Sequence, residues 1–107
     1  MFSIDDRRKR ARVALHWSMR LFRQSGEASV ESIIENLSSE GLYCITSEPF
    51  KPLERLQCEI VIPATLGVES PIVLKCRLTI RRVEHLRSAF GLGCQIEDYS
   101  LRSTIQV

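Results

Sequence analysis

The chain has 107 residues, a formal net charge of +2, and hydrophobic and charged fractions of 44% and 26%. That length holds one domain with a single core and leaves no room for a separate cofactor domain. The balance is that of a folded chain rather than a disordered one, and no apolar run approaches the roughly 20 residues that span a bilayer.

Residues 1–12 are expected to form a flexible basic arm. Arg7, Arg8, Lys9, Arg10 and Arg12 stand against Asp5 and Asp6, which gives the arm +3 and leaves −1 on the rest. A cationic arm on a near-neutral body suits one local anionic ligand better than a long nucleic-acid track. No uninterrupted apolar stretch follows it, because His16, Ser18 and Arg20 break up residues 13–22. A signal peptide is therefore not read, and a cytoplasmic location without membrane insertion is expected.

From Val13 to Phe22 the dominant period is two: Val13, Leu15, Trp17, Met19 and Leu21 alternate with mostly polar or small residues, which predicts a strand. Arg23 to Glu27 reads as a turn and Val30 to Glu35 as a second strand. The polar turn Asn36-Leu37-Ser38-Ser39-Glu40-Gly41 follows, with Gly41 expected to supply a positive φ. Leu42 to Thr46 is a third strand, and Pro49 and Pro52 mark a loop. Gln57 to Ile62 alternates again, with Cys58, Ile60 and Ile62 on one side. After a loop to Pro71, Ile72 to Glu84 is the longest strand, and its phase slips by one at Arg81-Arg82-Val83, predicting a bulge. A turn near His85 to Ser88 leads to a sixth strand, Ala89 to Glu97. The tail from Asp98 is expected to start a short helix with Asp98 near its N-cap. Six half-buried antiparallel strands in this length predict an all-β barrel or compact sandwich, with a barrel domain over 13–99 and a short tail over 100–107.

Cys44, Cys58, Cys76 and Cys94 form no C-x-x-C pair and each sits among apolar neighbours, so they read as reduced core thiols rather than metal ligands. His16 and His85 have no carboxylate or cysteine at metal-ligand spacing. No G-x-S-x-G and no phosphate loop is present. No catalytic residue, metal or cofactor is therefore expected, and the chain does not read as an enzyme. A small basic barrel for RNA or single-stranded DNA would need a row of surface aromatics and basic residues. The slightly acidic body with seven aromatics argues against that reading.

Two motifs remain. Arg8-Lys9-Arg10-Ala11-Arg12 is an RxxxR before the first strand, and Asn36 to Gly41 is an NxSxxG leaving the second. Either alone is weak. Their order and spacing on an all-β background resemble the PilZ family, from Asp6 to about Tyr99, including Arg81-Arg82-Val83 and Phe90-Gly91-Leu92-Gly93-Cys94-Gln95-Ile96. The resemblance implies a six-stranded antiparallel split barrel that binds cyclic di-GMP. It carries the family's binding arginines onto Arg8 and Arg12 and its polar turn onto Asn36, Ser38 and Gly41. The family's C-terminal helix would have only about ten residues here, room for two to three turns. Apolar surface left uncovered there would favour a homodimer.

The residue chemistry agrees with that assignment. Guanidinium is a planar fork that bonds guanine O6 and N7, or two phosphate oxygens, at once. Lysine is a point charge and cannot reproduce the geometry. Arg7 is a candidate for a further phosphate or stacking contact. Asn36 offers donor and acceptor to a guanine edge, and Ser38 a hydroxyl. The leading expectation is a cyclic di-GMP receptor whose arm and turn clamp the dinucleotide and whose liganded surface signals to a protein partner. The alternative is a PilZ-like interaction adaptor that binds no nucleotide.

Overall fold

A computed structural model of the chain describes residues 13–24, 29–63 and 72–103. Six strands follow one another: β1 (Val13–Arg23), β2 (Val30–Leu37), β3 (Gly41–Thr46), β4 (Arg55–Ile62), β5 (Ile72–His85) and β6 (Phe90–Ser103). They close into an antiparallel barrel in the order β1-β2-β3-β6-β5-β4. Of the barrel and sandwich that six alternating segments allow, this is the one the family resemblance implies. Closure is made by β1 and β4, which pair from Met19↔Ile60 to Arg23↔Leu56. Shutting a sheet on itself satisfies edge groups that an open sheet of this size would expose.

The inner face carries the core. Met19, Leu21, Ile34, Leu42, Ile60, Ile80 and Leu92 are all at most 1% exposed, and each such side chain contributes about 1.5–3 kcal/mol by leaving water. In β4 and β5 the inward residues are those the alternation selects: Leu56, Cys58 and Ile60 face Leu78, Cys76 and Leu74 across the ladder. All four cysteines are buried free thiols. Cys58 lies directly opposite Cys76, and the hydrogen bond between them, followed by burial, holds the Cys58 thiol far above its ordinary pKa. A thiol kept protonated inside a core is a poor nucleophile.

Among the described residues, four register shifts shape the barrel. One residue more on β1 than on β2 is accommodated between Ala14 and Trp17, so alternation is not continuous from Val13. Glu35 is extra on β2 against β3. Arg81 is extra on β5 against β6, between the Ile80↔Cys94 and Arg82↔Gly93 pairs, at the expected phase slip. Glu97 is extra on β6, between Ile96 and Asp98. Such bulges bend strands and increase their twist, which small barrels require.

The tail departs from the helix expected at Asp98: β6 continues as a strand to Ser103, and the described residues contain no helix. The long β5 provides the reason. Residues 72–77 of β5 pair with residues 98–103 of β6, from Ile72↔Ser103 to Arg77↔Asp98. Arg77 Nε donates to Asp98 Oδ2 at 2.8 Å. That hydrogen bond holds the Asp98 carboxyl below the usual carboxylate range. Asp98 serves the ladder, not a helix cap.

The loop after β3 is tied to the end of β1. Arg23 donates to the Pro49 carbonyl at 2.7 Å, bonds Glu54 at 3.3 Å, and places its guanidinium 4.1 Å from the Phe50 ring centre. Leu53 takes the strained φ of 71° in this loop. Its N–H donates to the Ile80 carbonyl at 2.7 Å, which locks the turn onto β5.

Candidate functional site

The site is built at the corner where β2 turns into β3. Ser38 holds the turn: its backbone N–H donates to the Gly41 carbonyl at 2.9 Å. Its hydroxyl oxygen accepts the N–H groups of Glu40 and Gly41, both at 3.3 Å. A serine in this position mimics a backbone turn. The Ser38 side chain is thus engaged in shaping the loop. The Glu40 carbonyl accepts the Ile96 N–H at 2.9 Å, which clamps the turn to β6.

Gly41 is required for a reason other than the positive φ expected of it. Its φ is not in the left-handed range, and it is the first residue of β3, opposite Gln95. A Cβ there would stand 2.7 Å from the carbonyl oxygen of Cys94. The turn needs glycine because two backbones approach closely.

The same corner receives the start of β1. Val13 is the Cα partner of Leu37, and Ala14 that of Asn36. Antiparallel pairing therefore brings the point where the arginine arm joins the barrel beside the residue preceding Ser38. Arg7, Arg8 and Arg12 themselves lie outside the described residues. Of the candidate residues, the structure brings Asn36, Ser38 and Gly41 together with the arm's attachment point. Asn36 is half-buried and opposes Tyr43 on β3.

Tyr43 was not singled out by sequence reasoning, and it dominates the outer face next to Asn36. Its hydroxyl donates to Glu84 Oε1 at 2.7 Å, and its ring crosses Gly91, where a Cβ would be 1.8 Å from the tyrosine oxygen. Arg82 in the same way lies over Gly93, 3.7 Å from the place of a Cβ, and its Nε is 3.2 Å from Glu84. The available signal was the pair Gly91 and Gly93, two residues apart on one face. Glycines at that spacing leave a furrow that larger side chains can cross.

Burial, followed by the hydrogen bond to Glu84, raises the Tyr43 pKa from 10.0 to about 12. The sign follows from linkage: above pH 10 the unfolded chain loses this proton while the folded chain keeps it. The stabilisation is full below pH 10 and is lost as pH rises through about 12. Ultraviolet titration should show one phenol ionising near that value. Tyr43→Phe should remove the corresponding part of the alkaline loss in stability.

A groove of about 930 Å³ elsewhere on the barrel, lined by residues that include Arg23, Glu59, Lys75, Arg77 and Asp98, shares no residue with the turn. Its cations are matched by carboxylates: Lys75 is 3.4 Å from Glu59, Arg23 is 3.3 Å from Glu54, and Arg77 is paired with Asp98. It offers little unmatched charge to an anion.

Comparison with curated proteins finds no match. Among solved structures, the barrel is similar to the Bacillus subtilis inhibitor of motility (MotI/DgrA), with a TM-score of 0.72 and 13% identity over 89% of this chain. The match spans 44% of that protein, so the likeness concerns the fold of one part of it. The family model for the PilZ domain matches residues 6–107, from the arginine arm through all six strands. With its barrel order and its NxSxxG corner, this chain belongs to the PilZ domain family.

Proposed function

We propose that the protein is a cyclic di-GMP receptor in which the N-terminal arginines and the β2–β3 turn hold the dinucleotide together. PilZ domains form a family of cyclic di-GMP receptors and adaptors. The observation that carries the reading for this chain is the Val13↔Leu37 pair, which attaches the arm beside the turn. Arg12 is one peptide unit from Val13, a Cα separation of about 3.8 Å, and Arg8 is within about 17 Å of Val13 even fully extended. Both arginines are thus tethered within reach of Asn36. Their guanidinium forks bond guanine edges and phosphate oxygens, Arg7 adds a phosphate or stacking contact, and Asn36 reads a guanine edge. Ser38 and Gly41 keep the turn in shape.

The protein acts by binding, not catalysis, in the cytoplasm. The surface formed by arm and ligand is what a protein partner recognises. No further cofactor takes part. Calorimetric titration with cyclic di-GMP is expected to give a micromolar or tighter dissociation constant, about −8 kcal/mol or better. No heat and no thermal shift would instead assign the protein to the adaptor class that binds no nucleotide.

A further inference from the structure

β6 leaves the closed part of the barrel halfway along its length. Up to Gln95 it is paired on both sides, with β3 and with β5. Its last backbone bond toward β3 is the one from Ile96 N–H to the Glu40 carbonyl. From Glu97 to Ser103, β5 is the one strand paired with it among the described residues. The opposite edge is a row of backbone donors and acceptors of the kind that recruits another strand.

From Glu97 to Leu101 the side chains on this stretch are also exposed. Tyr99 and Leu101 oppose the buried Cys76 and Leu74 and so face the core side, yet they are 58% and 60% exposed. Side-chain face and N–H direction alternate together along a strand. Ile96, partly buried against the core, points its N–H toward the β3 side. Tyr99 and Leu101, on the same face, therefore direct their N–H groups to the open edge. Asp98 and Ser100 direct theirs to β5.

We propose that this edge is a homodimer interface, in which residues 97–103 of two copies pair antiparallel about a two-fold axis at Ser100. The segment Glu97-Asp98-Tyr99-Ser100-Leu101-Arg102-Ser103 is self-complementary in that register. Position 99 stands opposite the partner's position 101, and position 98 opposite the partner's position 102, so that the sequence sets Tyr against Leu and Asp against Arg, each twice by symmetry. Shifting the centre to Tyr99 would set Glu97 against the partner's Leu101. Shifting it to Leu101 would move Asp98 beyond Arg102. Only the Ser100 centre matches charge with charge and apolar with apolar, the pairs that stabilise adjacent strands. It also makes the outward N–H groups of Tyr99 and Leu101 the donors of the new ladder. The interface is small, so the dimer belongs to the weak, concentration-dependent class.

Sedimentation equilibrium of the full chain from about 1 to about 500 µM is expected to show reversible dimerisation in this weak class. Arg102→Asp, which sets like charges opposite one another, should weaken it by about tenfold. Leu101→Pro should abolish it by deleting an outward N–H while sparing the β5 ladder. If Leu101→Pro lowers the melting temperature, Arg102→Asp decides. In Ser100→Cys the two thiols would meet at the axis, where Cα atoms of such a pair are about 4.5 Å apart, within disulfide range. Mild oxidation should cross-link it far faster than the exposed control Gln57→Cys. A wild-type monomer at every concentration, cross-linking no faster than the control, or a dimer undiminished in Arg102→Asp would overturn the proposal.

Discussion

Replacing Arg12 by alanine should weaken cyclic di-GMP binding by about 100-fold and leave the melting temperature unchanged. The magnitude follows from the bond type: a charge-assisted, two-pronged contact to a guanine edge or phosphate is worth roughly 1.5–3 kcal/mol. The unchanged stability follows from position, because residue 12 precedes the first strand at Val13. Arg8→Ala should behave similarly. Arg12→Lys separates charge from shape: lysine keeps the positive charge but not the fork, so it should recover only a small part of the lost affinity. Full recovery by lysine would mean that simple electrostatics, not edge recognition, drives binding. Calorimetry measures all three variants, and thermal melts establish that the barrel is intact.

Gly41→Ala should be the most damaging single change at the turn, costing about 2–3 kcal/mol. The obstacle to its methyl group is the Cys94 carbonyl oxygen, 2.7 Å away, which belongs to the neighbouring strand. Backbone held in a ladder cannot swing aside, so β3 and β6 must part where Ile96 bonds Glu40. Gly91→Ala is a sterically worse overlap on paper, at 1.8 Å, yet it meets the end of the Tyr43 side chain. That ring can rotate away at the loss of its Glu84 bond, a cost of about 1–2 kcal/mol. Urea unfolding should rank Gly41→Ala below Gly91→Ala. Adding Tyr43→Ala should make Gly91→Ala nearly neutral, a coupling that a double-mutant cycle reads directly. Gly41→Ala should also impair ligand binding, because it distorts the turn that Ser38 organises.

Most strands were legible because half-buried sheet residues alternate, and alternation needs no knowledge of partners. Ile72 to Ile80 shows this: its buried apolar members, Leu74, Cys76, Leu78 and Ile80, are those the period selects, while Thr79, on the other phase, is buried as well and hydrogen-bonds Glu97. The bulge at Arg81 was legible too, since an extra residue leaves a visible slip in phase. The strand beyond Glu97 was misread. Asp98 carries the local chemistry of a helix cap, and on that signal the tail reads as a helix. Pairing with β5 decided the matter, because a ladder partner outweighs a weak local preference. The extra residues near His16 and at Glu35 left no signal, as each depends on how two strands are aligned.

At the site the division has the same cause. The residue types are readable along the chain: an RxxxR segment, an NxSxxG turn and the alternating core that supports them. These are properties of single segments, set by local conformation and side-chain chemistry. Tertiary structure alone decided that the arm joins the barrel beside the turn, through Val13↔Leu37. It also decided that Gly41 is needed for the approach of Cys94 rather than for its φ, and that β6 runs past β3 with one edge open. Each of these is a relation between strands distant in the chain, settled by register and close packing, which no single segment encodes.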